Sequence, residues 1–481
     1  MSFDTFIKIK DKCDKKSQEY RQRGNAFCGL SHNFMGIAYY NIAIAYAESK
    51  KELSMAFGNR SNAFLSTEKY NQCLESIKMA RKIMFPDKLA HLNDNVRKSN
   101  AGLKISRENP ENNPWNYLKL SYPANNKIPW IIEGLEMRRT EKYGRGIYST
   151  RDLMPGDIIC VEEIKATFIM TELSFNKLCA NCLKTEMLNL IPCTKSASFM
   201  FCSEECLNQF HTHAEVNLIF KSNEFDSFKH LLSKIEFAFG GREKLKEYLK
   251  KPKDESFFDF DYSRVNSSNQ ELITYKCLMN SVSSINCPLK SSLFCNDDED
   301  TKQLLQKLFK ICMCNGINYP CINELGDNSL IPKANVVFSK FFGLVNFSCV
   351  PNVASLCVDN KIICYVKQPI KANDQLFFAP YGEFYNNNYL RSKILEGQGI
   401  TCDCIACKEN QSILNREFNN ENLLKKIEAK DIKNLKEADK MLKEYCEKLK
   451  KYKFNSIESY IIEENINFIL RSIAVNAQFP V

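Results

Sequence analysis

The chain has 481 residues, of which 44% are hydrophobic and 26% are charged, and its formal net charge is +9. This length allows two to four domains, and the composition excludes a disordered chain. Neither a run of 18 apolar residues nor an apolar N-terminal segment is present, so we predict no membrane span and no signal peptide. The 22 cysteines then indicate zinc ligands and buried thiols in the cytoplasm, the nucleus or both, because disulfide frameworks belong to oxidising compartments.

The positive charge is spread along the chain and gives little support to nucleic-acid binding. Its densest part, from Lys425 to Lys453, interleaves lysines with acidic residues. Mixed signs are typical of a solvated helix surface. We therefore predict protein partners, no nucleic acid, no membrane contact and a monomer.

The N-terminal part, residues 1–104, is predicted to be helical and to contain a repeat. When it is shifted by 37 residues, Asn25-Ala26-Phe27 falls on Asn62-Ala63-Phe64, and small or aromatic residues coincide where helices must approach closely. The other coincident pairs are Gly36 and Cys73, Tyr40 and Ile77, and Ala43 and Ala80. The pattern resembles two tetratricopeptide repeats, which would bind peptide partners. Two plain amphipathic hairpins are the alternative.

Residues 105–130 are predicted to be an irregular linker. Pro110, Pro114, Pro123 and Pro129 occur there among several asparagines, and this composition is typical of a connector without regular structure. We place the start of the next domain at residue 131.

Two β-prone runs follow, within residues 142–152 and 158–163. Pro155-Gly156 between them suits a type II turn with Gly156 at positive φ. In the first run Gly144 and Gly146 bracket Arg145. A Gly-x-Gly pair by itself indicates a tight bend and is weak evidence for a nucleotide site.

A second segment, residues 346–352, indicates which kind of domain these β-prone runs belong to. Asn346-Phe347-Ser348-Cys349-Val350-Pro351-Asn352 resembles the Asn-His-Ser-Cys-x-Pro-Asn signature of SET-domain methyltransferases. The run from Gly144 to Glu163 resembles the opening of the same domain, where glycine-flanked backbone approaches S-adenosylmethionine. Further along, Cys402, Cys404 and Cys407 can fill three corners of a tetrahedral zinc site. In the SET family the signature cysteine, here Cys349, is the fourth ligand.

Another group of potential zinc ligands lies inside this domain, at Cys179, Cys182, Cys193, Cys202, Cys206, His211 and His213. It resembles a MYND zinc finger, and repeats, SET domain and finger together resemble the SET and MYND domain family. That family's pattern implies that Cys179, Cys182, Cys202 and Cys206 share one zinc. Ser196 and Asn217 stand where relatives carry cysteines. A second finger site would therefore keep only Cys193 and His213, with His211 as a further candidate, and would be weak or lost. We predict two zinc ions per chain.

The predicted fold class is α+β: a SET-domain β-fold with an inserted MYND zinc finger and a post-SET zinc site, flanked by tetratricopeptide-like helical hairpins and a C-terminal helical region. The predicted boundaries are 1–104 for the repeats, 105–130 for the linker, 131–385 for the SET domain with the finger at 179–217, 386–410 for the post-SET segment and 411–481 for the C-terminal helices. In that last region apolar residues recur at helical spacing, at Ile432, Leu435, Leu442, Tyr445 and Leu449.

The resemblance implies a protein-lysine N-methyltransferase that uses S-adenosylmethionine. Tyr381, in Ala379-Pro380-Tyr381-Gly382, matches the active-site tyrosine of the family and also belongs to its cofactor site. The other cofactor residues that the resemblance implies are Tyr143, Gly144, Arg145, Gly146, Asn315, Asn346, Phe347 and Ile400.

Two departures from the family pattern affect the cofactor site. Phe347 replaces the signature histidine, whose main chain makes most of the contact, and Ile400 stands where relatives carry an aromatic residue near the adenine. With the incomplete finger, these departures favour the alternative function. That alternative is a catalytically weak or inactive scaffold, which recruits protein partners through the repeats and the finger.

Overall fold

The computed structural model describes the helical N-terminal part, most of the strands of the middle part, and the C-terminal helices. The described residues are 7–8, 10–83, 92–106, 113–163, 167–168, 177–212, 224–225, 243–244, 246–247, 316–320, 334–379, 388–397, 402–410, 432, 434–452 and 456–478.

Five helices form the N-terminal part. They are α1 (Asp14–Gly29), α2 (Asn33–Tyr46), α3 (Lys50–Ser66), α4 (Tyr70–Ile83) and α5 (Asn93–Ser106). Ser49 begins α3, because its hydroxyl accepts a hydrogen bond of 3.2 Å from the main-chain N–H of Glu52. Helices α1 and α2 approach so closely that a Cβ at Gly36 would lie 2.2 Å from Sγ of Cys28. A larger residue at Gly36 would push the two helices apart.

Several of the residues that recur at the 37-residue spacing lie in the core of this helical part, whereas Asn25, Ala26 and Asn62 are exposed. Ala43, Cys73 and Ala80 are fully buried, as is Phe64. They belong to one hydrophobic cluster that also contains Leu188, Leu190 and Met200, which come from the segment 179–217 predicted to be the finger. The N-terminal helices and the finger therefore share a core.

The middle part is built from short strands, and one further strand, β1 (Ile7–Lys8), precedes helix α1 at the N-terminus. Those of the middle part are β2 (Leu135–Thr140), β3 (Gly144–Ser149), β4 (Ile158–Glu163), β5 (Thr167–Phe168), β6 (Ile191–Pro192), β7 (Met200–Phe201), β8 (Glu224–Phe225), β9 (Gly316–Pro320), β10 (Ala334–Phe338), β11 (Asn346–Phe347), β12 (Val353–Val358), β13 (Lys361–Val366) and β14 (Phe377–Phe378). Helix α6 (Glu204–Thr212) follows β7.

These strands form several small sheets. One has the order β12-β13-β4 and another β5-β10-β9, and both are antiparallel. The antiparallel pairs are β1 with β8, β2 with β3, and β6 with β7. Strands β11 and β14 instead pair in parallel, with Asn346 opposite Phe377. This parallel pair brings two distant segments of the chain side by side.

The predicted turn between β3 and β4 is confirmed. Gly156 has φ +87°, and the main-chain N–H of Asp157 donates to the carbonyl of Met154 at 3.0 Å. A glycine is required at this position because other residues rarely adopt positive φ. The turn directs β4 back into the three-stranded sheet.

The C-terminal helices cover one face of that sheet. Besides the short helices α7 (Asn388–Gly397) and α8 (Ile405–Lys408), this part contains α9 (Leu435–Leu449) and α10 (Ile457–Gln478). Leu435 and Leu449 of α9 and Ile469 of α10 pack in one cluster with Ile158 and Ile363 of the sheet. None of the described helices has the length and apolar character needed to cross a bilayer.

Candidate functional site

Two segments that are 201 residues apart in sequence meet at one hydrogen bond. The side-chain amide of Asn346 donates to the carbonyl of Arg145 at 2.9 Å. Asn346 is buried, as are Arg145 and Gly146. A Cβ at Gly146 would lie 2.3 Å from Nε2 of Gln375 and 2.7 Å from Nδ2 of Asn346. Gly146 therefore lets Asn346 approach β3 (Gly144–Ser149), which we call the glycine strand.

The segment 375–378 lies between the glycine strand and the signature segment. On one side the N–H of Leu376 donates to the carbonyl of Ile147 at 2.8 Å. On the other side Asn352 forms two side-chain bonds: its Oδ1 accepts from the N–H of Phe377 at 2.7 Å, and its Nδ2 donates to the carbonyl of Gln375 at 2.8 Å. Both asparagines of the signature thus hold neighbouring backbone in place.

Gly144 presents open backbone at the edge of this arrangement. Its φ is +61°, and a Cβ built there would meet no atom within 4 Å. Tyr143 packs its ring edge-on against Phe377, with 5.4 Å between ring centroids. Nearby, the buried Nε2 of Gln375 has no hydrogen-bond partner in the described part of the chain. Open backbone at Gly144, two residues before the Gly146 position that Gln375 approaches, fits a polar cofactor that comes close to the main chain.

Four cysteines of the C-terminal part of the domain converge as the sequence predicts. The Sγ atoms of Cys349, Cys402, Cys404 and Cys407 all lie within 4.8 Å of one another. Four thiolates in a small volume suit a closed, structural zinc site. A hydrogen bond from the Cys349 thiol, followed by one from Cys402, lowers the pKa of Cys404, and this favours the thiolate that a metal requires.

The finger provides the second convergent set. The Sγ atoms of Cys179, Cys182, Cys202 and Cys206 also lie within 4.8 Å of one another. The S–S separation is 3.6 Å between Cys182 and Cys202 and 3.5 Å between Cys202 and Cys206. The donor set again fits zinc, so the described residues provide two four-cysteine sites.

The second finger position contains a cysteine and a histidine. Sγ of Cys193 lies 3.6 Å from Nε2 of His211. The Ser196 hydroxyl accepts a hydrogen bond from the N–H of Ser198 at 3.0 Å, so it serves the local turn. His213, which the sequence analysis placed with Cys193, lies outside the described residues. Within them no set of three or more ligand groups gathers around Cys193.

Sequence reasoning missed the buried carboxylate of Glu162 on β4. Its Oε2 accepts from the Ser339 hydroxyl at 2.6 Å and from the N–H of Phe341 at 3.2 Å, and its Oε1 accepts from the N–H of Lys340 at 2.8 Å. Burial raises the pKa of Glu162, and these hydrogen bonds oppose that rise. Glu162 thereby fixes the turn that leads into Asn346. A glutamate in a β-prone run was the only signal in the sequence.

Gln375 was also missed, because a glutamine before an apolar run carries no motif. Its Oε1 accepts from the Tyr148 hydroxyl at 2.8 Å. Of the predicted site residues, Asn315, Tyr381 and Ile400 lie outside the described residues. The structure does place Tyr143, Gly144, Arg145, Gly146, Asn346 and Phe347 in one neighbourhood.

Comparison with known proteins identifies the domain that contains these segments. Residues 144–379 match the family model of the SET domain. A similar curated protein is the protein-lysine N-methyltransferase SMYD4 of Danio rerio, which is 22% identical over 214 residues. This match covers 40% of the chain and 28% of the length of that relative.

Proposed function

We propose that this chain, which carries a SET domain, is a protein-lysine N-methyltransferase that uses S-adenosylmethionine. The observation that carries the proposal is the hydrogen bond from Asn346 to the carbonyl of Arg145. It joins the glycine strand to the signature segment, and these are the two parts that the resemblance to SET domains connects with the cofactor. The similarity to a protein-lysine N-methyltransferase supports the same reaction class.

The residues of this site would bind and orient the cofactor. Gly144 leaves the main chain open to a ligand. Gly146 and Asn346 form the buried wall behind it, and that wall is rigid because Asn346 is held by Arg145 and by its pairing opposite Phe377. A rigid, preformed site loses little entropy on binding.

When bound, S-adenosylmethionine would supply an activated methyl group. In this proposal Tyr381, which follows β14 by three residues in sequence, positions the amine of the substrate lysine. Removing that lysine from water lowers its pKa and favours the neutral, nucleophilic amine. Alignment of amine and methyl group then provides much of the rate. The zinc site at Cys349 would fix the end of the signature segment.

The proposal is tested by incubating the zinc-loaded chain with methyl-labelled S-adenosylmethionine and a cell extract. We expect label on lysines of one or a few proteins. The variant Tyr381→Phe should lose most turnover but keep its affinity for the cofactor, because the hydroxyl acts in the transition state. Tyr389→Phe is the matched control, since Tyr389 is 70% exposed.

Failure to label any protein, together with unchanged behaviour of Tyr381→Phe, would contradict the enzyme. That result would favour the scaffold function, in which the helical part and the finger recruit protein partners.

A further inference from the structure

A buried arginine connects the N-terminal helices to the finger. Arg60 lies on α3, and none of its side chain is exposed. Its Nη1 donates to the carbonyl of Leu190 at 2.6 Å, and its Nη2 donates to Oδ1 of Asn189 at 3.0 Å. Both acceptors belong to the finger, about 130 residues away along the chain. Two charge-assisted hydrogen bonds thus cross from the helices to the finger.

The rest of the guanidinium is held by the helices themselves. Nη1 also donates to Oδ1 of Asn41 at 2.7 Å, and Nε donates to the Ser76 hydroxyl at 3.1 Å. The guanidinium carbon lies 4.9 Å from the ring centroid of Phe57. No carboxylate in the described part of the chain forms an ion pair with Arg60, and burial lowers its pKa to about 9. This buried cation is therefore stabilised by oxygen dipoles and an aromatic ring, and the finger supplies two of those oxygens.

Asn41 extends the same contact to a third finger residue. Its Nδ2 donates to the carbonyl of Leu188 at 2.9 Å. Leu188 has φ +66°, a conformation that a leucine rarely adopts, yet its side chain is fully buried in the core of the helices. Strained backbone of this kind persists only where its surroundings hold it firmly. The helices provide that hold for Leu188.

The finger segment is anchored on its other side by the SET domain. Oδ1 of Asp359, in the turn between β12 and β13, accepts from the N–H of Thr185 at 2.6 Å. Residues 185–190 are therefore hydrogen-bonded by Asp359 at one end and by Arg60 and Asn41 at the other.

We propose that the helical repeats act as an intramolecular receptor for the finger. The face formed by Asn41, Arg60 and Ser76 recognises residues 188–190 as a tight turn with two apolar side chains and an asparagine between them. While the finger is folded, this face is closed to other peptides. Protein partners of the helical part then bind elsewhere on its surface, or bind only when the finger is released. The inference does not depend on catalysis.

The internal repeat supplies a matched control. Arg23 stands 37 residues before Arg60, at the equivalent position of the first repeat. Its side chain is exposed, and its guanidinium carbon lies 5.3 Å from the ring centroid of Tyr20, within the same helix α1. Arg23→Met and Arg60→Met therefore remove the same chemistry from two equivalent positions, and only one of these positions contacts the finger.

Hydrogen exchange of the full-length, zinc-loaded chain tests the proposal. The N–H of Leu188 donates to Thr185 at 2.7 Å, and that of Asn189 donates to Glu186 at 3.0 Å, so these amides report on opening of the segment. We expect Arg60→Met to accelerate their exchange about tenfold or more, since two charged hydrogen bonds are lost. Arg23→Met should match the wild type.

Asn189→Ala removes an acceptor from the finger and leaves the helices intact. If Arg60→Met does not fold, Asn189→Ala alone tests whether the helices hold the finger segment. Accelerated exchange over residues 186–192 in Asn189→Ala supports the intramolecular receptor. Exchange equal to the wild type in a folded Arg60→Met or in Asn189→Ala would overturn it.

Discussion

Lys142 and Asp403 form an ion pair, with 2.7 Å between Nζ and the carboxylate oxygen. Lys142 precedes Gly144 by two residues, and Asp403 lies between two cysteines of the C-terminal zinc cluster. The hydrogen bond with Asp403 raises the pKa of Lys142. The pair links the proposed cofactor strand directly to the segment that carries Cys402 and Cys404 of the four-cysteine set.

Reversing one charge of this pair should loosen the C-terminal zinc site. In Asp403→Lys, two positive charges face each other, and we expect faster zinc release to a chelator. The effect should shrink in high salt because both side chains are about half exposed. Lys142→Glu combined with Asp403→Lys should restore the wild-type rate.

Asp152→Lys is the control for that experiment. Asp152 forms an exposed pair with Lys371 at 3.0 Å, and neither residue is adjacent in sequence to a cysteine of the two sets. Equal release rates from Asp403→Lys and Asp152→Lys would mean that the Lys142 pair does not support the zinc site.

Gly146→Ala should destabilise the site by overpacking. The new Cβ would collide with Nδ2 of Asn346 and Nε2 of Gln375. We expect a loss of about 1–3 kcal/mol in the free energy of unfolding, which is measured by urea denaturation. Gln375→Ala in the same background should recover part of that loss. Full stability of Gly146→Ala would show that the close approach of Asn346 is not required.

The sequence predicted the features that depend on local chemistry. Gly156 was placed in its turn because only one backbone conformation closes a Pro-Gly turn of this type. The two four-cysteine sets that the family resemblance implied are each gathered in the structure. The resemblance to the SET domain assigned Asn346 and the strand of Gly144 and Gly146 to one cofactor site, and the structure brings them together.

The contacts between distant elements could not be predicted. In the sequence, Arg60 has the character of a surface residue of a helix. Its acceptors, Asn189 and Leu190, lie about 130 residues away along the chain, and no sequence pattern connects them with Arg60. Strands β11 and β14 have two residues each and carry no periodicity that could indicate their parallel pairing. In the second finger position the structure brings His211 to Cys193, because the helix that carries Cys206 continues to His211 and fixes its direction.

Metal analysis of protein purified without chelator should give two zinc ions per chain. Cys206→Ser and Cys404→Ser should each remove one, because each breaks a different four-cysteine set. Three ions in the wild type would show that the position at Cys193 binds zinc as well.

Zinc retention should also depend on pH. The pKa of Cys182 is raised, mainly by hydrogen bonding with Cys179. Zinc binding must therefore displace protons from the thiols of this set. Acidification therefore releases zinc, whereas raising the pH through neutrality strengthens its binding. Zinc content that stays constant well into the acid range would contradict thiolate ligands.

A buried ion pair attaches the C-terminal helix α10 to the SET domain. Nζ of Lys367 lies 3.5 Å from the carboxylate of Glu463, and the two side chains are 5% and 1% exposed. The main-chain N–H of Lys367 also donates to the carbonyl of Asn352 at 2.8 Å, so this contact reaches the signature segment.

Glu463→Gln should cost about 3–5 kcal/mol in the free energy of unfolding, since it removes the negative charge that faces the buried ammonium of Lys367. Lys367→Met combined with Glu463→Leu should recover most of that loss. Asp439→Asn, which breaks the exposed pair of Asp439 with Lys443, is the control and should have little effect. Denaturation in urea distinguishes these outcomes, and a small effect of Glu463→Gln would mean that α10 is held by apolar packing alone.

Calorimetric titration of S-adenosylmethionine into the zinc-loaded chain tests the proposed function most directly. We predict saturable heat for the wild type and unchanged binding in Arg23→Met. In Asn346→Ala the affinity for the cofactor should fall at least about tenfold, because a buried hydrogen bond between neutral groups is lost and the site loses its geometry. The absence of heat from the folded, zinc-loaded wild type at millimolar cofactor would contradict the methyltransferase.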